Sequence, residues 1–488
     1  MRQFPLPYLH SWTPVISKSK NYCIVTLCWL RSWKMIPETT DFGRAQSRWK
    51  KIVNALKCPE DISMMVAEVS KPKIQRVPDC MGGRLEFQNL YLPNLISIGP
   101  IHFLKPYVEE GELHKVVWTA TYLKNTGQTY HDLLEKTGNS FHQQLASMFA
   151  EECWKYDESQ DLRRSMRVEE MLVVDGCSVL HVLEKSVDSD YPEKDLKISI
   201  GQLTQAHHDM VLLENQIPYQ LLKLLCNDKA RLKRCMHNFL LVNGIGQESD
   251  GRVSEEHFIT IEEDEQDKEE PVHLLDYLRR AVLGRGRVQS CREIKMANRC
   301  LHLRKYRIGS VRELKVAGIR ITKSSNSFYP SFMDGDLQLP PVVVDGSMAL
   351  ISMNLVAYEM CLGFRNDLEI TSLLVLLCSL IQQPEDVKEL RRMGVLRNRL
   401  SSDKEVADVF NKLDVLQLPE TAAFAHLRQQ IQVHLKAKRG RIRVLRWMGE
   451  AYHTYFRSPW TVTALLATML GLSLTLIQTF YAVRCKGS

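Results

Sequence analysis

The chain has 488 residues, 44% hydrophobic and 25% charged, with 24 glycines and 19 prolines. Those proportions exclude a wholly disordered, collagen-like or low-complexity protein and allow one large or two medium domains with true cores. The net charge of +7 sits at the ends: residues 1–37 hold +5, residues 436–457 hold +6 and Arg484 with Lys486 add +2, so the remainder is −6, with no long basic face for nucleic-acid phosphates.

Residues 1–45 read as a basic leader, either disordered or targeting. Within it NYCIVTLCWL (21–30) is apolar but too short to span a bilayer. The following Arg31-Ser32-Trp33-Lys34 is a poor signal-cleavage site. Residues 46–435 read as a helical body. Ser97-Ile98-Gly99-Pro100-Ile101-His102 is a Gly-Pro turn followed by a lone histidine. Residues 186–197 and 244–271 are polar and read as loops, the second with an acidic run.

Residues 207–226 place Met210, Leu213, Ile217, Leu221 and Leu224 at helical spacing. Glu214, Asn215 and Gln216 interrupt that apolar run. On a helix they fan across about 200°, so at least one points inward and needs hydrogen-bond partners. Within a helix Pro218 leaves the Glu214 carbonyl unpaired and kinks the chain. Two readings stand: a structural polar knot that fixes helix packing, which is favoured, or the rim of a ligand pocket.

Further on, His273 to Leu283 is amphipathic. Ser310-Val311-Arg312-Glu313 is a capping box, Gly318 stops that helix, and 319–322 alternate like a strand. Residues 328–333, the turn Asp334-Gly335 and residues 337–344 predict a hairpin, with Pro340 and Pro341 confining the second strand to an edge. LLVLLCSLI (373–381) predicts a buried helix, Pro384 and Gly394 bracket the next, and 403–413 and 419–438 follow as helices.

Residues 436–459 form a basic collar of Lys436, Lys438, Arg439, Arg441, Arg443, Arg446 and Arg457. Trp460 to Val483 then carries no charge and, as a helix, reaches about 36 Å. A transmembrane helix is expected there, through Leu470 and Gly471, with Trp460 and Tyr481 at the interfaces and a short tail over 484–488. The lipid bilayer is therefore one expected partner. The flanking charge puts the body in the cytoplasm, anchored in the plasma membrane or an endomembrane; an extracellular body is the alternative. Thirteen cysteines without a CxxC agree with a reducing compartment. The expected fold class is mainly α, with a minor β-hairpin and one C-terminal transmembrane helix.

Catalytic signatures are absent: there is no GxSxG elbow, no phosphate loop and no HExxH. His207, His208 and Asp209 are adjacent and diverge by about 100° each on a helix, so they cannot share one metal. No catalytic residue, cofactor or metal is assigned, and no enzymatic activity is expected.

Ten blocks of the sequence, taken together, resemble the plant family called domain of unknown function 247. They include YLPNLISIGPIHF (91–103), MLVVDGCSVLHVLE (171–184), HDMVLLENQIPYQLL (208–222), SVRELKVAGIRI (310–321) and GDLQLPPVVVDG (335–346). The resemblance covers about residues 74–484. The family pattern falls on Gly99, Pro100 and His102, on Asp175 and Gly176, and on Asp209, Glu214, Asn215, Gln216 and Pro218. The family usually has a second histidine where Phe103 stands and an aromatic where Ser178 stands, which argues against a paired-histidine metal site. The resemblance implies a plant source, one C-terminal span and no established activity. Some grass members are implicated in pollen–stigma self-incompatibility.

The function expected is a membrane-anchored recognition, signalling or scaffold protein that contacts an unidentified protein partner. The oligomeric state is open. The alternative is an enzyme using Asp209, Glu214 and His102 as acid–base groups.

Overall fold

In the computed structural model the chain divides into two compact units, Met1–Lys71 and Pro72–Ser488. The structure describes residues 73–82, 85–139, 147–150, 153, 168–188, 191–245, 270–283, 308–324, 329–361, 364, 368–414, 424, 426–436 and 459–485, all in the second unit. The expected leader, the acidic run over 262–269 and the collar residues Lys438, Arg439, Arg441, Arg443, Arg446 and Arg457 lie outside them.

The first part is helical: α1 (Glu109–Thr126), α2 (Tyr130–Asn139), α3 (Val168–Asp188), α4 (Pro192–Leu196), α5 (Ile200–Asp209), α6 (Tyr219–Leu225), α7 (Lys229–Val242) and α8 (Leu274–Leu283). At the centre is α3, against which α1, α2, α4, α6 and α7 pack. Its apolar residues run almost all round it, from Met171 to Leu183, as a fully enclosed helix requires. Local chemistry sets the helix starts. Ser199 and Gln202 form a reciprocal capping box on α5, and the Asp228 carboxylate accepts from the Ala230 N–H at the start of α7.

The second part mixes helix and strand. Helix α9 (Val311–Val316) opens on the expected capping box, with Ser310 and Glu313 satisfying each other's backbone. Strands β1 (Arg320–Lys323), β2 (Ser331–Met333) and β3 (Asp336–Leu339) form a sheet in the order β1-β3-β2. The hairpin β2–β3 turns on Asp334 and Gly335, both with positive φ, the geometry that suits two-residue hairpins. Contrary to expectation β3 is the central strand, pairing in parallel with β1 as well. Pro340 and Pro341 lie beyond its last paired residue, so they end the strand instead of exposing it. Strand β4 (Val342–Val344) pairs in parallel with β5 (Leu396–Asn398) in a separate ribbon. Helices α10 (Met348–Glu359), α11 (Glu369–Leu380), α12 (Pro384–Arg392) and α13 (Asp403–Asp414) complete this part. Buried Arg279 on α8 bonds Glu359 on α10 at 2.9 Å, and Glu359 also accepts from the Ile370 and Thr371 N–H groups that open α11.

Two further expectations are corrected. The loop expected over 186–197 contains the end of α3 and all of α4. The single helix expected over 207–226 is two, α5 and α6, separated by a compact turn through 210–218. Pro218 kinks nothing: it caps α6 from outside, with φ −59° and ψ 134°.

The last helix, α14 (Pro459–Cys485), overturns the expected membrane span. Among the described residues no helix is long and apolar enough to cross a membrane. A run without charge is not the same as an apolar run. Thr463, Thr468, Ser473, Thr475, Gln478 and Thr479 dilute it. The Thr468, Ser473, Thr475 and Thr479 hydroxyls donate to carbonyls one turn back, a local solution available in any helix. Leu470 and Gly471, taken as its middle, are exposed, and the side chains of Trp460, Tyr481 and Val483 are outside the described set. Lys436, the described member of the collar, is an exposed residue at the end of a helical stretch over 426–436. The described fold is mainly helical with a few strands, and no helix among the described residues supports the expected transmembrane span.

Candidate functional site

Residues 94–99 run as irregular chain through the interior, with Leu95 to Gly99 buried and bonded to no strand. Buried backbone N–H and C=O groups must be paired, and here side chains from four places pair them. The Asp209 carboxylate, at the end of α5, accepts from the N–H groups of Asn94, Leu95 and Ile96 at 2.9, 2.8 and 2.9 Å. Asn215 Oδ1 accepts from the Ile98 N–H at 2.7 Å, and its Nδ2 donates to the carbonyls of Ile96 and Asp209, both at 3.0 Å. Asp175 on α3 accepts from the Gly99 N–H at 2.8 Å. Lys115 on α1 donates to the Ser97 carbonyl at 2.8 Å and to Asp175 at 2.6 Å, and pairs with Glu112 at 2.8 Å.

Gly99 sits at φ +82°, and a Cβ there would lie 2.5 Å from the Gln216 carbonyl oxygen. Gly111 on α1 is pressed against the same segment, where a Cβ would lie 1.8 Å from the Leu95 carbonyl oxygen. Pro100 is buried beside them, and Gly176 on α3 faces Leu225 of α6. Gln216 closes the 210–218 turn: its amide donates to the Met210 and Leu212 carbonyls at 2.8 Å each and accepts from the Leu275 N–H of α8 at 3.2 Å. Asn354 of α10 holds the same turn through the Leu213 N–H at 2.9 Å and reaches the Leu90 carbonyl at 2.8 Å.

Glu214 points to the edge of this network. It accepts from the Val77 N–H at 2.8 Å and lies 3.3 Å from His102 Nε2 and 3.9 Å from Arg76. His102 Nδ1 is in turn 2.7 Å from the hydroxyl of half-exposed Tyr107. Burial works against the Glu214 carboxylate, but His102, the Val77 N–H and Arg76 outweigh it and hold the carboxyl below its ordinary range. Burial pushes Asp209 up to about 6 against the pull of its three backbone bonds. It also pushes Asp175 to about 6, with Lys115 opposing and Glu112 reinforcing.

The predicted motif residues therefore converge, and they converge as a knot. The Asp209 carboxylate is bonded to three backbone donors inside the core, which removes it from the proposed acid–base set. His102 and Glu214 do meet. The reading from sequence missed Lys115, Tyr107, Glu112 and Asn354. Lys115 had a signal: it shares one helical face with Gly111, Trp118, Thr119 and Tyr122, all inward. Among the described residues no three His, Cys, Asp or Glu side chains converge on a metal position. A cavity of about 360 Å³ lined by Gly309, Glu313, Leu314, Gln382 and Leu435 involves none of the motif residues.

The family described as plant protein of unknown function, DUF247, matches residues 74–474, which takes in the whole knot. The chain belongs to this family. The UPF0481 protein At3g47200 of Arabidopsis thaliana is 23% identical over 419 residues, covering 80% of this chain and 83% of its own. The putative UPF0481 protein At3g02645 of the same plant is 30% identical over 180 residues, covering 36% and 33%. No solved structure matches the chain. The family description names no function.

Proposed function

We propose that this plant protein is a recognition or scaffold protein that works by protein–protein contact, with the knot as a rigid mount. The observation that carries this reading is the commitment of the motif side chains. Asp175, Asp209, Asn215 and Gln216 are buried; the last three spend their polar atoms on backbone groups, and Asp175 divides its carboxylate between the Gly99 N–H and Lys115. Groups so placed shape a surface and have no substrate to touch. The test is affinity capture from plant tissue with the full chain, followed by reconstitution from purified components. A saturable, stoichiometric complex supports the reading. Failure of every recovered protein to bind the purified chain counts against it.

A second reading is acid–base chemistry at Tyr107, His102 and Glu214, favoured by their contacts of 2.7 and 3.3 Å. Under that reading His102→Gln and Glu214→Gln abolish a turnover while leaving the melting temperature near that of the parent. Under the recognition reading they change no turnover.

A further inference from the structure

Helix α1 carries apolar residues on both faces. Inward it buries Trp118, Thr119 and Tyr122, with Trp118 Nε1 donating to the Leu196 carbonyl at 2.8 Å and the Tyr122 hydroxyl reaching the Leu225 carbonyl at 3.3 Å. Outward it shows Leu113, Val116 and Val117, which are 72%, 61% and 43% exposed, followed by exposed Ala120. Those four stand at i, i+3, i+4 and i+7, the spacing by which one helix packs its stripe against another. A helix already anchored by its inner face gains nothing in its own fold from that stripe, and contiguous exposed apolar surface marks interaction sites.

The charges around it select the partner. Glu109 and Glu110 are exposed in the first turn, with Glu110 accepting from Gln202 at 3.1 Å and His114 standing 3.9 Å from it. Lys124 lies at the far end of the helix. From the spacing and the acidic end we infer that the outer face of α1 docks an amphipathic, basic helix of a partner protein. This inference rests on the recognition reading above. The partner's apolar stripe covers Leu113, Val116, Val117 and Ala120, and its Lys or Arg side chains meet Glu109 and Glu110.

The probe is a synthetic amphipathic helix of about 18 residues with a leucine stripe and lysine flanks, fluorescently labelled and titrated with the full chain. An otherwise identical peptide with glutamate flanks is the comparison. The lysine peptide is expected to bind about tenfold tighter than the glutamate peptide, and less so as salt rises. Leu113→Glu with Val117→Glu is expected to remove binding, and Glu109→Lys with Glu110→Lys to weaken it about tenfold. All variants are expected to melt within a few degrees of the parent, because the changed side chains are exposed. Equal binding of the two peptides overturns the inference, as does binding that survives Leu113→Glu with Val117→Glu. A homodimer that those two substitutions dissolve assigns the face to a second copy and also overturns it. If proteins captured from tissue bind the parent and the Leu113→Glu, Val117→Glu chain alike, the recognition reading stands and this docking face alone falls.

Discussion

His273 shows how one buried side chain ties stability to pH. Its Nδ1 accepts from the Asp276 N–H at 3.2 Å and so caps α8, which leaves the ring proton on Nε2 beside the Tyr358 ring, 4.8 Å away between centroids. Burial pulls its pKa down to about 4, Arg280 lowers it further and Asp276 opposes. The unfolded chain therefore takes up the proton first. The stability this residue contributes is complete above about pH 6.5 and is lost as pH falls toward 4, a loss of about 3 kcal/mol. Buried His181 and half-buried His207, each also lowered to about 4, act in the same sense. Asp175 and Asp209 act oppositely: raised to about 6, they favour the fold below about pH 4, and that contribution is lost as pH rises through 6. His273→Asn keeps a cap and removes the titration. Urea midpoints at pH 7 and pH 5 are expected to lie closer together in that variant than in the parent. At Asp209 the prediction is larger. Asp209→Ala strands the buried N–H groups of Leu95 and Ile96 and the part-buried one of Asn94, and the loss is about 3 kcal/mol or more, read from the same midpoints.

At the scale of elements, α1 is the informative helix. Its inner face reaches the knot through Lys115, a fully buried cation paired with Asp175 and Glu112. Removing one partner of such a group leaves the others charged and unmatched, so Lys115→Met is expected to cost about 3–5 kcal/mol by denaturant unfolding. Gly111→Ala, which drives a methyl into the Leu95 carbonyl, is expected to destabilise by a comparable amount. The pattern of α1 also explains why its role was hidden. With Trp118 and Tyr122 inward and Leu113 and Val117 outward, the helix has no single apolar stripe to read. By contrast α9 and α12 were legible from a capping box and a first-turn proline, because those signals are local. The helix expected over 207–226 failed for a related reason. Asn215 and Gln216 bond the carbonyls of Asp209, Met210 and Leu212 and so substitute for the helical ladder.

Over the whole molecule the knot joins distant stretches of chain. Asp209 reaches Leu95 across 114 positions, and Asn354 reaches Leu90 across 264. Its bonds form together when the parts assemble, so they open together. Amide hydrogen exchange is expected to find Leu95, Ile96, Ile98 and Gly99 among the slowest amides, exchanging with global unfolding, although they lie in no helix or strand. Fast exchange there in the intact chain would contradict a rigid mount. The acidic surplus of the body and the basic ends were already fixed as composition.

By itself the sequence determined the family, the mainly helical class, the caps that start and stop helices, and the need of Glu214, Asn215 and Gln216 for partners. Each of these depends on near neighbours in the chain or on the cost of placing a polar group among apolar ones. Only the tertiary structure decided which groups meet that need, that Lys115 is buried and that β3 is central. Those outcomes depend on residues far apart in sequence, and local pattern does not report them.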